Sequence, residues 1–519
     1  MHMEKTLASL FLILCVSLPL RAQQATTRVS ESLDIFNDVF RQVDVNYVDT
    51  LNYEDLTETA IQAMLRKIDP YTVYYSKQKD KDLRMLTQGK YGGIGSIIQQ
   101  RKVESPKSKD KSQEEGTYIV NPYEGKPAQR AGVLAGDRIL SVDGKKTKGL
   151  SVSEVSDKLR GEPGTTVVLE LEREGEKKPF KVSIVREDIH LEPVSYYTVF
   201  TADSLPYPIG YIAFSEFTEG SAQAFTNALD ELYYTRGARA LVMDLRGNGG
   251  GIVEEALQIV NLFVDRDTKI VETRGKTARS NNVYKTRNNP RYKDLPLIVM
   301  VDKHSASASE IVSGALKDLG RAKLIGQKTF GKGLVQNVRP IVHGGHVKVT
   351  TSKYYLPSDS CIQGVGIMPD IEMSDSDKVD ICYTLYVNHY FFDYATRFHR
   401  LHDSIAQPEV FDVTDEMIAD FCDYLDERGF TYETETSKFF ADMIKMAKHE
   451  DIDSTTLAQL EALKPVLTPD FRQAVDRNKE RIKQFLGSEI VLRYYYQKGQ
   501  AAYNLRYDEE LKRSMHELR

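Results

Sequence analysis

Between residues 195 and 375 the chain alternates strand-like and helix-like segments, and this alternation constrains the fold more than any other feature. IGYIAFSEF (209–217) reads as a strand, and SAQAFTNALDELYYTRG (221–237) as a helix closed by Gly237. ALVMDLRGNGGG (240–251) is a buried strand running into a glycine turn, and IVEEALQIVNLFV (252–264) is a helix. PLIVMVD (296–302) is a further strand. Such a pattern predicts an α/β sheet, whose sites favour the crevice beyond the C-terminal ends of the strands. Ser307, in HSASASE, lies just past the end of that last strand.

Ser307 opens an apolar, Ala-rich run, SASEIVSGALKDLG, that reads as a helix, so its hydroxyl sits at a helix N-terminus. With Glu310 it forms the S-x-x-E pattern of a capping box. Lys332 follows between Gly331 and Gly333 in TFGKGLVQ, where the backbone can turn sharply. A serine hydroxyl needs a base to become a nucleophile, and a neutral lysine is one recognised partner. Alone, the box is a structural cap and the GKG a turn. His304, His343 and His346 supply histidines for a rival Ser-His-Asp arrangement, but the chain has no G-x-S-x-G elbow around Ser307.

The run from Val299 to Gln336, VMVDKHSASASEIVSGALKDLGRAKLIGQKTFGKGLVQ, resembles the carboxyl-terminal processing (tail-specific) peptidases, a Ser-Lys family of endopeptidases. The resemblance implies an α/β catalytic core of the crotonase/ClpP type, with Ser307 as nucleophile and Lys332 as general base. It implies that Gln336, four residues on, orients the lysine amine. Backbone N–H groups of Gly251 and Ala308 would form the oxyanion hole, with Gly250 the other candidate in the turn. Where the family often has N-P-G-G, this chain has Asn248-Gly249-Gly250-Gly251, which keeps the donors. On its own, such a glycine run is a flexible turn, or a phosphate loop without its lysine. Lys332 must be neutral to act, and burial among Phe330, Leu334 and Val335 would disfavour its ammonium.

Residues 91–187 resemble a PDZ domain. YGGIGSII places Gly92, Gly93, Ile94 and Gly95 ahead of a β-branched strand, and the resemblance implies that this loop holds a peptide's terminal carboxylate. KPAQRAGVLAGDRILSVDGK carries the family phrase at Pro127, Ala131, Gly132, Gly136, Asp137 and Ile139. Lys102 to Gly116 is charged and poor in apolar residues, the pattern of a solvated hairpin loop. Residues 29–90 read as a helical segment that buries apolar stripes, Leu33, Ile35, Phe36, Val39, Phe40 and Val43 recurring at helical spacing. Asp69-Pro70 ends its second helix, and LRKIDPYTVYYS (65–76) resembles the same family's N-terminal segment. VTTSKYYLPSDSCIQGVGIMPDIE resembles the family's closing β-segment (Gly364 to Asp370). The resemblance stops there, and residues 376–519 read as a Tyr- and Phe-rich helical extension, structural or oligomerising.

Lys5 precedes an apolar stretch from Leu7 to Leu20, the pattern of a secretory signal (1–22) cleaved after Ala22. Leu14 is bulky where a lipidation signal at Cys15 wants a small residue. Cleavage leaves Cys361, Cys382 and Cys422, so at most one disulfide can form, and buried or free thiols are expected. A formal charge of −6 over 519 residues gives no support for nucleic-acid binding. The expectation is a multidomain α+β chain, exported to the periplasm, soluble or membrane-associated. No cofactor or metal is expected; the expected partners are proteins with apolar C-terminal tails, and the C-terminal helices offer a surface for a homo-oligomer. The alternative is a catalytically silent PDZ scaffold that binds such tails.

Overall fold

The computed structural model describes residues 28–77, 90–104, 113–190, 192–201, 205–373, 380–450, 452–467 and 470–519. The expected signal segment (1–22) and residues 105–112 of the expected hairpin loop lie outside them. Two compact units emerge: one of residues up to Lys77 with Val338–Val349, the other of Gln78–Asn337 with Thr350–Arg519.

The smaller unit holds a helix over 28–46, the helix Tyr53–Arg66, and the strand Val73–Tyr75 paired antiparallel with 346–348. Asn52 caps the second helix, which ends just before Asp69-Pro70. The Asp69 carboxylate accepts the N–H groups of Tyr71 and Thr72, fixing the turn beyond it. The apolar stripe of the first helix is not buried as expected: Leu33, Ile35, Phe36 and Val39 are each more than half exposed. Among its described residues this unit offers the stripe one other helix and a short strand pair, too little surface to cover it.

Within the larger unit the α/β core is a six-stranded sheet in the order Val194–Phe200, Ile209–Phe214, Ala240–Asp244, Leu297–Val301, Lys323–Gly326, Ile371–Glu372. The first pair is antiparallel and all the others are parallel. Both faces are buried, which is why these strands are continuous apolar runs rather than alternating ones. Leu241, Met243, Leu297, Val299 and Val301 face the helices Ser221–Asp230, Val253–Asn261 and Ala308–Asp318. Ala240, Val242, Ile298 and Met300 face Leu505, Leu511 and Leu518 from the end of the chain.

The PDZ region is a β-rich fold closed around Ile119, Val142, Val167, Leu169 and Ile184, with helices Pro127–Arg130 and Val152–Leu159. The C-terminal region is helical from Ile381 to Glu517 among its described residues. Its tyrosines and phenylalanines make its core: Phe391 stacks on Phe421 at 5.5 Å, and Tyr394 meets Phe421 edge-on at 5.1 Å. Such pairs each contribute about 0.5–1.5 kcal/mol beyond area burial. This region also grips the PDZ domain: Arg101 pairs with Asp393 at 2.7 Å, and Gln129 donates to Tyr496 at 2.9 Å. The guanidinium carbons of Arg101 and Arg493 lie 4.7 and 4.3 Å from the Phe392 ring centroid. Cys361, Cys382 and Cys422 are free thiols, as expected, and burial pushes Cys382 up to about 12.

Candidate active site

Two loops leave the C-terminal ends of adjacent parallel strands and meet. One is the turn from Asp244 to Gly251; the other runs from Asp302 to Ser307. Asn248, fully buried, ties them together. Its amide nitrogen donates to Phe214 O at 2.7 Å, and its side-chain oxygen accepts the Gly250 N–H at 2.9 Å. Its carbonyl accepts the Ala306 N–H at 3.0 Å and the Ser309 hydroxyl at 2.9 Å. Asp302 Oδ1 accepts the Gly247 N–H at 3.0 Å, and the Ser305 hydroxyl donates to Leu245 O at 2.8 Å. Gly250 sits at φ +97°, and a Cβ there would lie 2.7 Å from Ser307 Cβ and 2.8 Å from Ala308 N. Glycine is thus required by both conformation and space.

Ser307 is half-buried and immediately precedes the Ala308–Asp318 helix. Its φ of +58° is outside the range a serine ordinarily adopts, a strain of order 1–3 kcal/mol that surrounding bonds must hold. Glu310, fully buried, supplies that hold. Its Oε2 accepts the Ser307 N–H at 2.9 Å and the Lys332 N–H at 2.8 Å. Its Oε1 accepts the Gly331 N–H at 2.7 Å and the Thr329 hydroxyl at 2.6 Å. One carboxylate therefore spans the serine turn and the lysine turn. The capping residue read from S-x-x-E is also the bridge to Lys332.

The lysine turn is pinned from its other side as well. Gly331 has φ +89°, a Cβ there would stand 2.9 Å from Gly366 N, and its carbonyl accepts the Gly364 N–H at 2.8 Å. The Lys332 carbonyl accepts the Tyr354 hydroxyl. Lys332 is half-buried, with Leu334 buried and Val335 half-buried beside it, but Phe330 is 56% exposed and does not wall it off. Gln336 is half-buried on the strand Leu334–Pro340, and its amide makes a long contact of 3.5 Å to the Thr350 hydroxyl.

The N–H groups of Gly251 and Ala308 have no acceptor among the described residues, whereas that of Gly250 is taken by Asn248. His304 is exposed and its backbone N–H goes to Asp302; His343 and His346 belong to the other unit.

In the PDZ domain a groove of about 240 Å³ runs between the start of the strand Ser96–Glu104 and the helix Val152–Leu159. Gly93, Ile94 and Gly95 close one end, and Ile98, Val152 and Leu159 supply apolar walls. The N–H groups of Ile94 and Gly95 have no acceptor among the described residues. Gly92 does not line the groove; it belongs to the strand Lys90–Gly93, and its carbonyl accepts the Gly161 N–H at 3.0 Å.

Two roles in this site go beyond the sequence motifs. Asn248 stands in the glycine turn, but its bonds to Phe214, Ala306 and Ser309 carry no sequence signal. S-x-x-E signals the bond of Glu310 to Ser307 but not its bonds to Gly331 and Lys332.

Comparison with known proteins accounts for most of the chain. Residues 208–373 match peptidase family S41, and 118–173 match a PDZ domain. Residues 17–79 match the activating protease CtpB N-terminal domain. Residues 381–518 match the C-terminal helical domain of probable PDZ-proteases, so the kinship extends past residue 375, where the sequence motifs had ended. A carboxy-terminal-processing protease of Bartonella bacilliformis is 36% identical over 69% of this chain and 80% of its own. The carboxy-terminal processing protease CtpB of Bacillus subtilis is 33% identical over 68% of this chain and 70% of its own. Among solved structures, a photosystem II D1 C-terminal processing protease is 31% identical over 63% of this chain and 84% of that one, with a TM-score of 0.40. With its PDZ domain set ahead of the peptidase core, the chain belongs to peptidase family S41, the carboxy-terminal processing proteases.

Proposed function

We propose that this chain is a serine endopeptidase of the cell envelope that holds protein C-terminal tails in its PDZ groove and cleaves through Ser307 and Lys332. The observation that carries the reading is the Glu310 carboxylate, which binds the backbone of both residues and so sets nucleophile and base in one frame. Lys332, as the free amine, takes the Ser307 hydroxyl proton while Oγ attacks the scissile carbonyl carbon. The negative charge that develops on the carbonyl oxygen is received by the N–H groups of Gly251 and Ala308. Lys332 then gives its proton to the departing amine, leaving an ester on Ser307. Water, losing a proton to the same lysine, hydrolyses the ester and regenerates the serine. Gln336 orients the lysine amine.

The base works only when neutral, so its active fraction falls about tenfold per pH unit below its pKa. Activity is expected to rise with pH and then level off as Lys332 loses its proton; a profile flat from acid to alkaline pH would remove lysine from this role. Apolar walls at Ile98, Val152 and Leu159 suit an apolar tail. Replacing Val152 with Asp is expected to raise KM at least tenfold for an apolar-tailed substrate. kcat/KM for a short peptide that does not reach the groove should stay unchanged. Equal effects on both substrates would detach the groove from substrate selection.

The cellular location rests on the signal-like N-terminus. No helix among the described residues is long and apolar enough to cross a membrane. The direct test incubates the purified protein with an unfolded, apolar-tailed protein and maps new C-termini by mass spectrometry, with Ser307→Ala alongside. Binding without cleavage by the wild type would favour the silent PDZ scaffold.

A further inference from the structure

The helix Glu509–Glu517 closes the sheet face opposite the Ala308–Asp318 helix, yet it reaches the catalytic turn through charge. Arg246 lies in the turn from Asp244 to Gly251. Its guanidinium binds Asp244 through Nη2 at 2.6 Å, and Asp244 also accepts the Tyr211 hydroxyl at 2.7 Å. On its remaining edges it binds Asp508 at 2.5 Å and Glu510 at 2.6 Å, both from the C-terminal region. We infer that Asp508 and Glu510 are positioning residues for the Ser-Lys site, holding the oxyanion turn in register through Arg246. The inference rests on the proposed catalytic role of Ser307 and the glycine turn.

Adhesion alone does not explain the arrangement. Leu505, Leu511 and Leu518 already bury the end of the chain against the sheet. Bringing three carboxylates to one guanidinium costs desolvation and leaves negative charge in excess. What the cluster does supply is direction. A planar guanidinium held by carboxylates on separate edges cannot rotate without breaking several charge-assisted bonds at once. The backbone is fixed with it, since the Arg246 N–H also donates to Asp244 at 2.9 Å. Beyond Arg246 the turn is held at Gly247 by Asp302 and at Gly250 by Asn248, and the backbone then passes directly to Gly251. Glycines at 247, 249, 250 and 251 give the turn little stiffness of its own.

The test uses the full chain with Asp508→Asn and Glu510→Gln together. Asn keeps the cap that Asp508 gives the Leu511 N–H, so the helix is retained. Glu517→Gln serves as control, because Glu517 ties the same helix to Lys323, away from Arg246. In the double variant kcat should fall about ten- to a hundredfold with KM within about twofold, as a displaced oxyanion donor would give. Hydrogen exchange of residues 244–252 should rise at least tenfold while the strand 209–214 is unchanged. Wild-type exchange and kcat in the double variant would overturn the inference. So would an equal loss in Glu517→Gln, which would reduce the cluster to helix docking. If the wild type cleaves nothing, the proposed chemistry fails, and exchange in the turn still decides whether Asp508 and Glu510 position it.

Discussion

Replacing Ser307 with Ala should lower cleavage by 10⁴- to 10⁶-fold, replacing Lys332 with Ala should lower it as far, and the double variant should be no worse than either. In the proposed mechanism nucleophile and base act as a unit, and removing either member of such a unit typically costs on the order of 10⁴–10⁶ in kcat. Residual activity would come from the N–H groups of Gly251 and Ala308, which either substitution leaves in place. The fold should survive both changes. Ser307 holds its strained φ through its backbone N–H to Glu310, and Lys332 is held through its own N–H and carbonyl. Neither anchoring bond uses the side chain. Single-turnover cleavage of an apolar-tailed protein, with circular dichroism on each variant, measures both points. A Lys332→Ala protein with wild-type activity would return attention to His304, although its exposure argues against it.

The contrast between what was legible in the sequence and what was not follows from the range of the contacts. The core strands were legible because a parallel strand buried on both faces is a continuous apolar run, as in ALVMD and LIVMV. The same run held a second message: something must cover the far face of the sheet, and Leu505, Leu511 and Leu518 of the C-terminal region do so. The serine and lysine turns were legible from a motif that keeps spacing along one stretch of chain. Glu310 was only half legible, because S-x-x-E reports its local bond to Ser307, whereas its bonds to Gly331 and Lys332 span a loop. Arg246 and Asn248 sit in what reads as a flexible glycine turn, and their partners Asp508, Glu510 and Phe214 are remote in sequence. The apolar stripe at Leu33 and Phe36 gave the right helix and the wrong burial, since periodicity identifies a face and not its cover.

Glu310→Gln should then be the most damaging change to the site that leaves both reacting side chains intact. A carboxylate accepts at both oxygens, and here each oxygen takes two donors. Glutamine offers one carbonyl oxygen and turns an NH₂ group toward two of those donors, leaving them without an acceptor in a site that is at least partly closed to water. At about 1–3 kcal/mol for each such group, the expected loss is roughly 2–6 kcal/mol, concentrated where the serine turn meets the lysine turn. Released from that bond, Ser307 can relax from φ +58° into an ordinary conformation, moving Oγ away from the base. Misplacement of about 1 Å at a reacting atom costs on the order of a hundredfold, so kcat should fall by at least that much. Glu310→Asp keeps the charge but is one methylene short, so it should reach one turn and not both, with an intermediate loss. Chemical denaturation and kcat measured on both variants give the comparison. Wild-type stability and rate in Glu310→Gln would mean that the two turns are held in register by Asn248 and the glycine packing alone.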